Sequence, residues 1–229
     1  MNISKQISTL VIMVIPFLSY SQQPMGLTAG AGLYTNIFSE NDINSNHILT
    51  PFLGLFWILE QSRGISYRPE VLIISKGSNI QSEDTGVKRE LKTRTYYIEI
   101  PIMMQLSFPI NNKTGFYFSV GPHISVGISG NWKNSETPQF GAADNSSGEI
   151  KFIQNLTENN ASSFDENDLL MRRFELGANA RVGLDFDPWT FSLGYSRGLT
   201  STIPKIDGDN TDEASINSGF RLAFSYIIN

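Results

Sequence analysis

The chain has 229 residues, a formal net charge of −5 and no cysteine. Without cysteine it has neither a disulfide bond nor a thiolate metal site. The acidic balance argues against a nucleic-acid-binding protein, which usually carries a basic patch, and the length suits one domain.

The N-terminal residues have the pattern of a secretory signal peptide. Lys5 supplies a positive charge, a short apolar run follows it, and Ser19 and Ser21 are the small residues that a signal peptidase reads. We predict a signal peptide over residues 1–21 and a mature chain over residues 22–229. The alternative, a membrane-spanning anchor, needs about 18–20 apolar residues, and this run is shorter. No later run reaches that length, so no transmembrane helix is predicted.

The mature chain contains eight candidate β-strands, most of which alternate between apolar and polar residues. Side chains on a strand alternate between its two faces, so this pattern predicts one apolar and one more polar face. Only the second strand is nearly continuous in apolar residues, which leaves its facing ambiguous. The predicted strands are Leu27–Ile37, Leu49–Glu60, Ile65–Lys76, Arg94–Phe108, Phe116–Ser129, Arg173–Phe186, Thr190–Leu199 and Gly219–Ile228.

The fourth strand has the clearest pattern. From Tyr96 to Phe108, every second residue is large and apolar. Strands of soluble proteins are usually about 5–6 residues long, whereas a tilted strand that crosses a bilayer needs about 9–11. Tyr96 and Phe108 place an aromatic ring at each end of the apolar face, as the interfacial girdles of a membrane barrel require. This stretch therefore predicts a transmembrane strand.

The connections between the predicted strands alternate in length. They are short at 61–64, 109–115 and 187–188, and longer at 38–48, 77–93, 130–172 and 200–218. Bacterial outer-membrane barrels alternate in this way, with short periplasmic turns and long extracellular loops, whereas a soluble secreted sandwich has no reason to do so. We predict an all-β fold, an eight-stranded antiparallel up-and-down transmembrane β-barrel over residues 22–229, with both termini in the periplasm.

The more polar faces of these strands should point into the barrel. Eight strands enclose a space that side chains just fill, and charges buried there need partners of opposite sign. We expect Arg181 to pair with Glu99 or Glu175, and we expect a plugged lumen. The predicted structural network consists of Arg68, Glu70, Glu99, His123, Glu175, Arg181, Asp185 and Arg221. Small residues on the same face should make room for the charged side chains, at Gly121, Gly127, Gly177, Gly183 and Gly194.

One pair of residues raises the question of catalysis. His123 and Ser125 lie on the same face of the fifth strand, and a carboxylate such as Glu99 on the adjacent strand would complete a Ser–His–acid arrangement. The lipid face carries Ile124 and Val126 instead, so an interior histidine within the ion network is the preferred interpretation. We assign no catalytic, cofactor-binding or metal-binding residue and predict that the chain is not an enzyme.

Three charged segments lie outside the predicted lumen. Lys92 and Arg94 continue the lipid face of the fourth strand above its apolar part, where they could contact the phosphates of lipopolysaccharide. The acidic segment 207–213 could offer oxygen ligands to a cation such as calcium, although a solvated loop is the simpler interpretation. The long segment 130–172 is either an adhesive, partner-binding surface or a mobile polar loop, because function often lies on loops.

The chain resembles the PorT-like outer-membrane β-barrel family of Bacteroidota porin-family proteins. The resemblance rests on PEVLIISKG (69–77), YYIEIPIMMQLSF (96–108), FSVGPHISVGISG (118–130), FELGANARVGLDF (174–186), FSLGYSRGLTSTIP (191–204) and SGFRLAFSYIIN (218–229). It implies an eight-stranded barrel in the outer membrane. The namesake of the family is associated with a protein secretion system, but no residue-level signature of that role is present here. The final Asn229 departs from the aromatic residue that ends many such barrels.

These observations lead to one main functional hypothesis and three alternatives. The main hypothesis is a non-enzymatic integral outer-membrane barrel with a structural, adhesive or envelope-assembly role. The alternatives are a component or assembly factor of a secretion system, a lipid-modifying enzyme, and a small-solute porin. The expected partners are outer-membrane lipid and lipopolysaccharide, the barrel-assembly machinery, and other envelope or secretion proteins, with no nucleic acid.

Overall fold

A computed structural model describes residues 23–39, 45–62, 64–84, 87–138, 144–156, 165, 167–206 and 214–228. These residues form β-strands, and none of them builds a helix long and apolar enough to cross a membrane. The predicted signal peptide and the acidic segment 207–213 lie outside the described residues. The strands are β1 (Met25–Phe38), β2 (Ser45–Asn46), β3 (Ile48–Trp57), β4 (Leu59–Ser62), β5 (Ile65–Asp84), β6 (Val87–Pro109), β7 (Thr114–Pro138), β8 (Asp144–Ile153), β9 (Asn155–Leu156), β10 (Leu169–Arg172), β11 (Phe174–Phe186), β12 (Trp189–Gly198), β13 (Lys205–Ile206) and β14 (Ser215–Ile228).

Eight of these strands close into a ring in chain order. Each is antiparallel to both of its neighbours, and the order around the ring is β1, β3, β5, β6, β7, β11, β12 and β14. β14 returns to β1, from Met25 opposite Ile228 to Phe38 opposite Ser215, so neither strand has a free edge. Closure satisfies the backbone groups within the barrel wall, which a lipid environment requires. The predicted all-β, eight-stranded up-and-down barrel is therefore confirmed.

The outer surface of the ring is apolar. Outward residues such as Ile102 and Leu222 are 52% and 62% exposed, whereas Met103 and Arg221 beside them point inward and are buried. The ambiguous second strand is resolved, because Leu53 faces outward and Phe52 inward. Near the short turns the outer surface carries stacked rings, with ring centroids 4.8 Å apart for Phe108–Phe116 and 4.7 Å apart for Trp189–Phe224. This cluster matches one interfacial aromatic girdle.

The other end of the barrel, here called the long-loop end, is more ordered than the sequence predicts. β5, β6 and β7 have 20, 23 and 25 residues and continue beyond the apolar band. The predicted connection 77–93 is a hairpin in which only residues 85–86 separate β5 from β6. The predicted loop 130–172 contains the end of β7 together with β8, β9 and β10. Both loop predictions are wrong for these residues. Polar strands held together by backbone hydrogen bonds show no alternation of apolar and polar residues, so the sequence pattern does not reveal them.

Candidate functional site

The half of the lumen nearer the short turns contains one carboxylate held by two guanidinium groups. Arg181 donates to both oxygens of Glu70, at 2.7 and 3.2 Å. Arg68 Nε lies 2.8 Å from Glu70 Oε1, and Arg68 Nη2 donates to the Ser225 hydroxyl at 3.1 Å. The Arg68 guanidinium also stacks 3.7 Å from the centre of the Phe56 ring. The expected partner of Arg181 was Glu99 or Glu175, and this expectation is wrong. The strand register instead brings Glu70 across the lumen to Arg181.

The half nearer the long-loop end contains a second, larger cluster. Lys76 Nζ lies 2.8 Å from Glu99 Oε2 and 2.6 Å from Glu175 Oε1. Arg221 donates to the other Glu99 oxygen at 2.8 Å, and Asn217 donates to the other Glu175 oxygen. Two cations and two carboxylates therefore neutralise each other within a space where all four side chains are buried. Such pairing is what makes buried charge tolerable.

Lys76 lies at the centre of this cluster, yet the predicted network did not include it. Its side chain is 0% exposed and contacts both carboxylates of the cluster. The signal was present in the sequence, because Arg68, Glu70 and Lys76 share the same alternating face of one strand. The predicted third strand ends at Lys76, and a lysine at a strand end is usually solvated. The continuation of β5 to Asp84 places it inside the wall instead.

An apolar lid covers the second cluster. It consists of Ile150, Phe152 and Met171, which come from β8 and β10 and pack among lumen-facing barrel residues. The Phe152 ring meets Tyr97 edge-on, with centroids 5.5 Å apart. Gly127 leaves the space that this ring occupies, since a side chain there would collide with it. The prediction that Gly127 makes room for a charged side chain is therefore wrong.

The other predicted glycines divide between ions and rings. Gly177 lies against the His123 ring and Gly183 against the Tyr117 ring, while a Cβ added at Gly194 would meet Arg181 carbons at 3.6 Å, an ordinary van der Waals contact. Gly121 closely approaches the backbone of Ile102. Four of the five predicted glycines thus admit a ring or a close strand contact, whereas a side chain at Gly194 would fit beside Arg181.

His123 and Ser125 belong to the second cluster, but their hydrogen bonds are not those of a catalytic base and its nucleophile. His123 Nε2 lies 3.3 Å from Glu175 Oε1. The Ser125 hydroxyl donates to Glu99 at 3.2 Å and accepts from Lys76 at 3.2 Å. An activated serine instead donates its proton to the histidine, and it must be open to substrate. His123 is 2% exposed and Ser125 is 0% exposed.

Asp185 lies apart from the other seven predicted residues. It is half-buried, accepts from Thr190 at 3.0 Å, and lines an opening of about 870 Å³ at the short-turn end. Seven of the eight predicted network residues thus fall into the two lumen clusters. Among the described residues there is no group of three or more histidine, aspartate or glutamate side chains placed to hold a metal ion.

Lys92 and Arg94 lie on the outer surface of β6, directly beyond the apolar band. Tyr96 is the next outward residue below them. The register places Lys133 of β7 opposite Lys92, so a third cation that was not predicted shares this surface. Farther along β8, the hydrogen bond from Lys151 lowers the pKa of the exposed Glu149 carboxyl. The same bond raises the pKa of Lys151.

Comparisons with known proteins agree with this architecture. A family model described as outer membrane protein beta-barrel domain matches residues 20–204. Similar solved structures include OprG from Pseudomonas aeruginosa, with 9% identity over 90% of this chain and 96% of that chain and a TM-score of 0.47. Neisserial surface protein A has 10% identity over 88% and 96% of the two chains and a TM-score of 0.42. Ail of Yersinia pestis has 11% identity over 90% and 99% of the chains and a TM-score of 0.33. A search of curated proteins finds no match.

Proposed function

The chain belongs to the outer membrane protein beta-barrel domain family, and from that premise we propose a non-enzymatic outer-membrane protein with a plugged lumen. Its role is structural, adhesive or in envelope assembly, and its long-loop end is the contact surface for partners. The filled lumen is the observation that carries this proposal.

The described lumen residues argue against a continuous polar path for a solute. Two ion clusters and the apolar lid lie one above the other, and their charged groups are engaged with each other. A diffusing solute would have to separate buried ion pairs, which is costly because it leaves charges without partners. These contacts argue against the porin alternative. The burial of His123 and Ser125 argues against the alternative of a lipid-modifying enzyme.

The orientation that we propose rests on the position of the described chain ends and on the general topology of outer-membrane barrels. The described chain begins and ends at the short-turn end, where Ile58 N donates to Pro24 O and Ile227 N donates to Pro188 O. A secreted chain inserts from the periplasm, so we propose that this end faces the periplasm and that the extended β5–β8 sheet faces outward. Protease added to intact cells should then cut in the segments beyond β5–β8. Cleavage only after the outer membrane is opened would indicate the inverted orientation.

Conductance in planar bilayers tests the plugged lumen. The folded chain should give no discrete current steps, while an open porin reconstituted in the same way serves as the positive control. Steps of constant size from the purified chain would overturn the proposal in favour of a porin. Hydrolysis of lipid A esters by the wild type, lost in His123→Ala, would favour the enzyme instead.

A second candidate function is a component or assembly factor of a protein secretion system. The PorT-like resemblance of six strand segments favours it, since the namesake of that family is associated with secretion. Tagged chain purified from outer membranes in mild detergent should then carry secretion subunits in fixed proportion. The absence of such subunits, together with normal protein export in a deletion strain, would leave the structural or adhesive role.

A further inference from the structure

The outer surface changes abruptly from apolar to cationic at one level on two neighbouring strands. On β7 the last apolar outward residue is Ile128, which is 53% exposed and lies at a bulge in the pairing with β6. On β6 the corresponding residue is Tyr96. The outward positions beyond them include Arg94 and Lys92 on β6 and Lys133 on β7. We call these three residues the rim cations.

The strand register places no acidic residue directly opposite a rim cation. Arg94 lies between Gly77 and Asn131. Lys92 lies between Asn79 and Lys133, so two cations are directly opposite each other. Like charges in that position destabilise a sheet. Within the described part of the chain, no carboxylate forms an ion pair with any of the three.

The nearest carboxylates on this surface are already engaged. Glu90 accepts from Asn79 at 2.7 Å, and Glu149 accepts from Lys151. Farther from the apolar band the cations of β6 have acidic partners, because Lys88 lies 3.8 Å from Glu83 and Arg89 lies 3.2 Å from Glu136. Cations on this sheet are thus paired with acids, except at the level where the apolar band ends.

A groove adjoins the rim cations at this level. It opens where β8 leaves β7, has a volume of about 570 Å³, and is lined by Tyr96, Ile128, Asn131, Arg173 and the Glu149–Lys151 pair among others. Arg173 donates to Phe152 O at 3.0 Å, while its buried Nε has no partner among the described residues. The groove therefore joins apolar surface continuous with the lipid-facing band to Arg173 and to a carboxylate that Lys151 already neutralises.

We propose that the rim cations and this groove bind the phosphate-bearing headgroup of a membrane lipid. Lysine and arginine are strong donors to phosphate oxygens, and a phosphate would relieve the repulsion between Lys92 and Lys133. The lipid chain would lie along Ile128, where the surface is already apolar. The site goes beyond the proposed structural or adhesive role and does not depend on it. A barrel in either orientation could hold such a lipid.

Lipid retention tests the site. The folded chain is placed in phosphatidylcholine nanodiscs that contain either lipid A or its dephosphorylated form, and the lipid retained after purification is measured by mass spectrometry. We expect the wild type to retain about 10-fold or more lipid A than dephosphorylated lipid A. Each basic residue near the anionic headgroup adds to the binding affinity. The variant K92Q/R94Q/K133Q should lose most of this preference, and K92R/R94K/K133R should keep it.

A matched control removes the same charge away from the rim and the groove. K88Q/R89Q/K113Q lowers the net charge by the same amount, because Lys88 and Arg89 face carboxylates and Lys113 lies in the turn between β6 and β7. This variant should keep the preference for lipid A. An unchanged preference in K92Q/R94Q/K133Q, or an equal loss in both triple variants, would overturn the proposal. If the first triple variant does not fold, as judged by heat-modifiability, K133Q alone should lose part of the preference, and full retention would refute the site.

Inorganic phosphate separates a lipid site from a site for soluble anions. Free phosphate lacks the chain that packs on Ile128, so at the same free concentration as lipid A it should displace little of the bound lipid. Full displacement by inorganic phosphate would show that the rim binds soluble anions and would overturn the assignment to a membrane lipid.

Discussion

The lumen cations and the rim cations obey different rules within the same barrel. In the lumen Arg68, Lys76, Arg181 and Arg221 are each within 3 Å of a carboxylate and are at most 8% exposed. At the rim Lys92 and Lys133 are exposed and face each other. A buried charge without a partner loses its hydration and gains little in return, whereas an exposed charge keeps its water. Burial therefore demands pairing inside the barrel, while exposure leaves the rim free to bind something else.

The largest effect should come from Lys76→Met. The change leaves Glu99 and Glu175 together without the cation that lies between them. Removing one partner of a buried ion pair costs roughly 3–5 kcal/mol, and here two carboxylates lose the same partner. Folding titrations into lipid vesicles should show a loss at the upper end of this range.

A second substitution tests the cause of that loss. Adding Glu175→Gln to Lys76→Met should recover part of the stability, because one uncompensated carboxylate is removed. Adding Glu70→Gln should not, since Glu70 belongs to the other cluster. Equal recovery by both changes would mean that the two clusters act as one.

Arg181→Leu should have the next largest effect. Glu70 keeps Arg68 as a partner after this change, so we expect a loss near 3 kcal/mol, the lower end of the range for broken buried pairs. Glu70→Gln should restore part of it, whereas Glu99→Gln should not. Vesicle folding titrations of the three variants measure this difference. Rescue by Glu99→Gln would contradict the pairing seen across the lumen.

Leu222→Arg should cost about 2–4 kcal/mol, because it places a cation against hydrocarbon near the middle of the membrane. Leu222 pairs with Ala31 and Leu193. It lies between the ring pairs Phe191–Phe224 and Tyr195–Phe220. Leu184→Arg should cost less, since Leu184 pairs with Phe116 and Phe191 near the short-turn girdle. Equal losses in the folding titrations would mean that the two residues lie at the same depth.

Arg89→Gln should have the smallest effect. The Arg89–Glu136 pair is on the extended sheet, with side chains 53% and 36% exposed. Exposed pairs contribute about 0.2–1 kcal/mol and weaken with salt. The loss should therefore stay below that of Leu184→Arg and diminish as salt is added. A loss as large as that of Arg181→Leu would show that the sheet is buried against a partner.

Much of the barrel follows from the alternation of residues along single strands. The facing of Tyr96–Phe108 and of Glu175 and Arg181 depends only on the geometry of a strand, in which neighbouring side chains point to opposite sides. The number of strands follows from the same alternation. An even number of tilted strands joined by short turns can close into a barrel, and closure gives every backbone N–H and C=O group of the wall a hydrogen-bond partner. For this reason the sequence by itself predicted the eight-stranded ring and which residues enter the lumen.

Which charges meet inside the ring was decided by the tertiary structure. Arg181 reaches Glu70, more than a hundred positions away, because register and tilt around the whole ring set the height of each side chain. Lys76 is buried because β5 continues past it, and Phe152 covers it because β8 folds back over Gly127. Alternation specifies the side of the wall for each residue, but the height and the partner depend on long-range pairing that no single strand encodes.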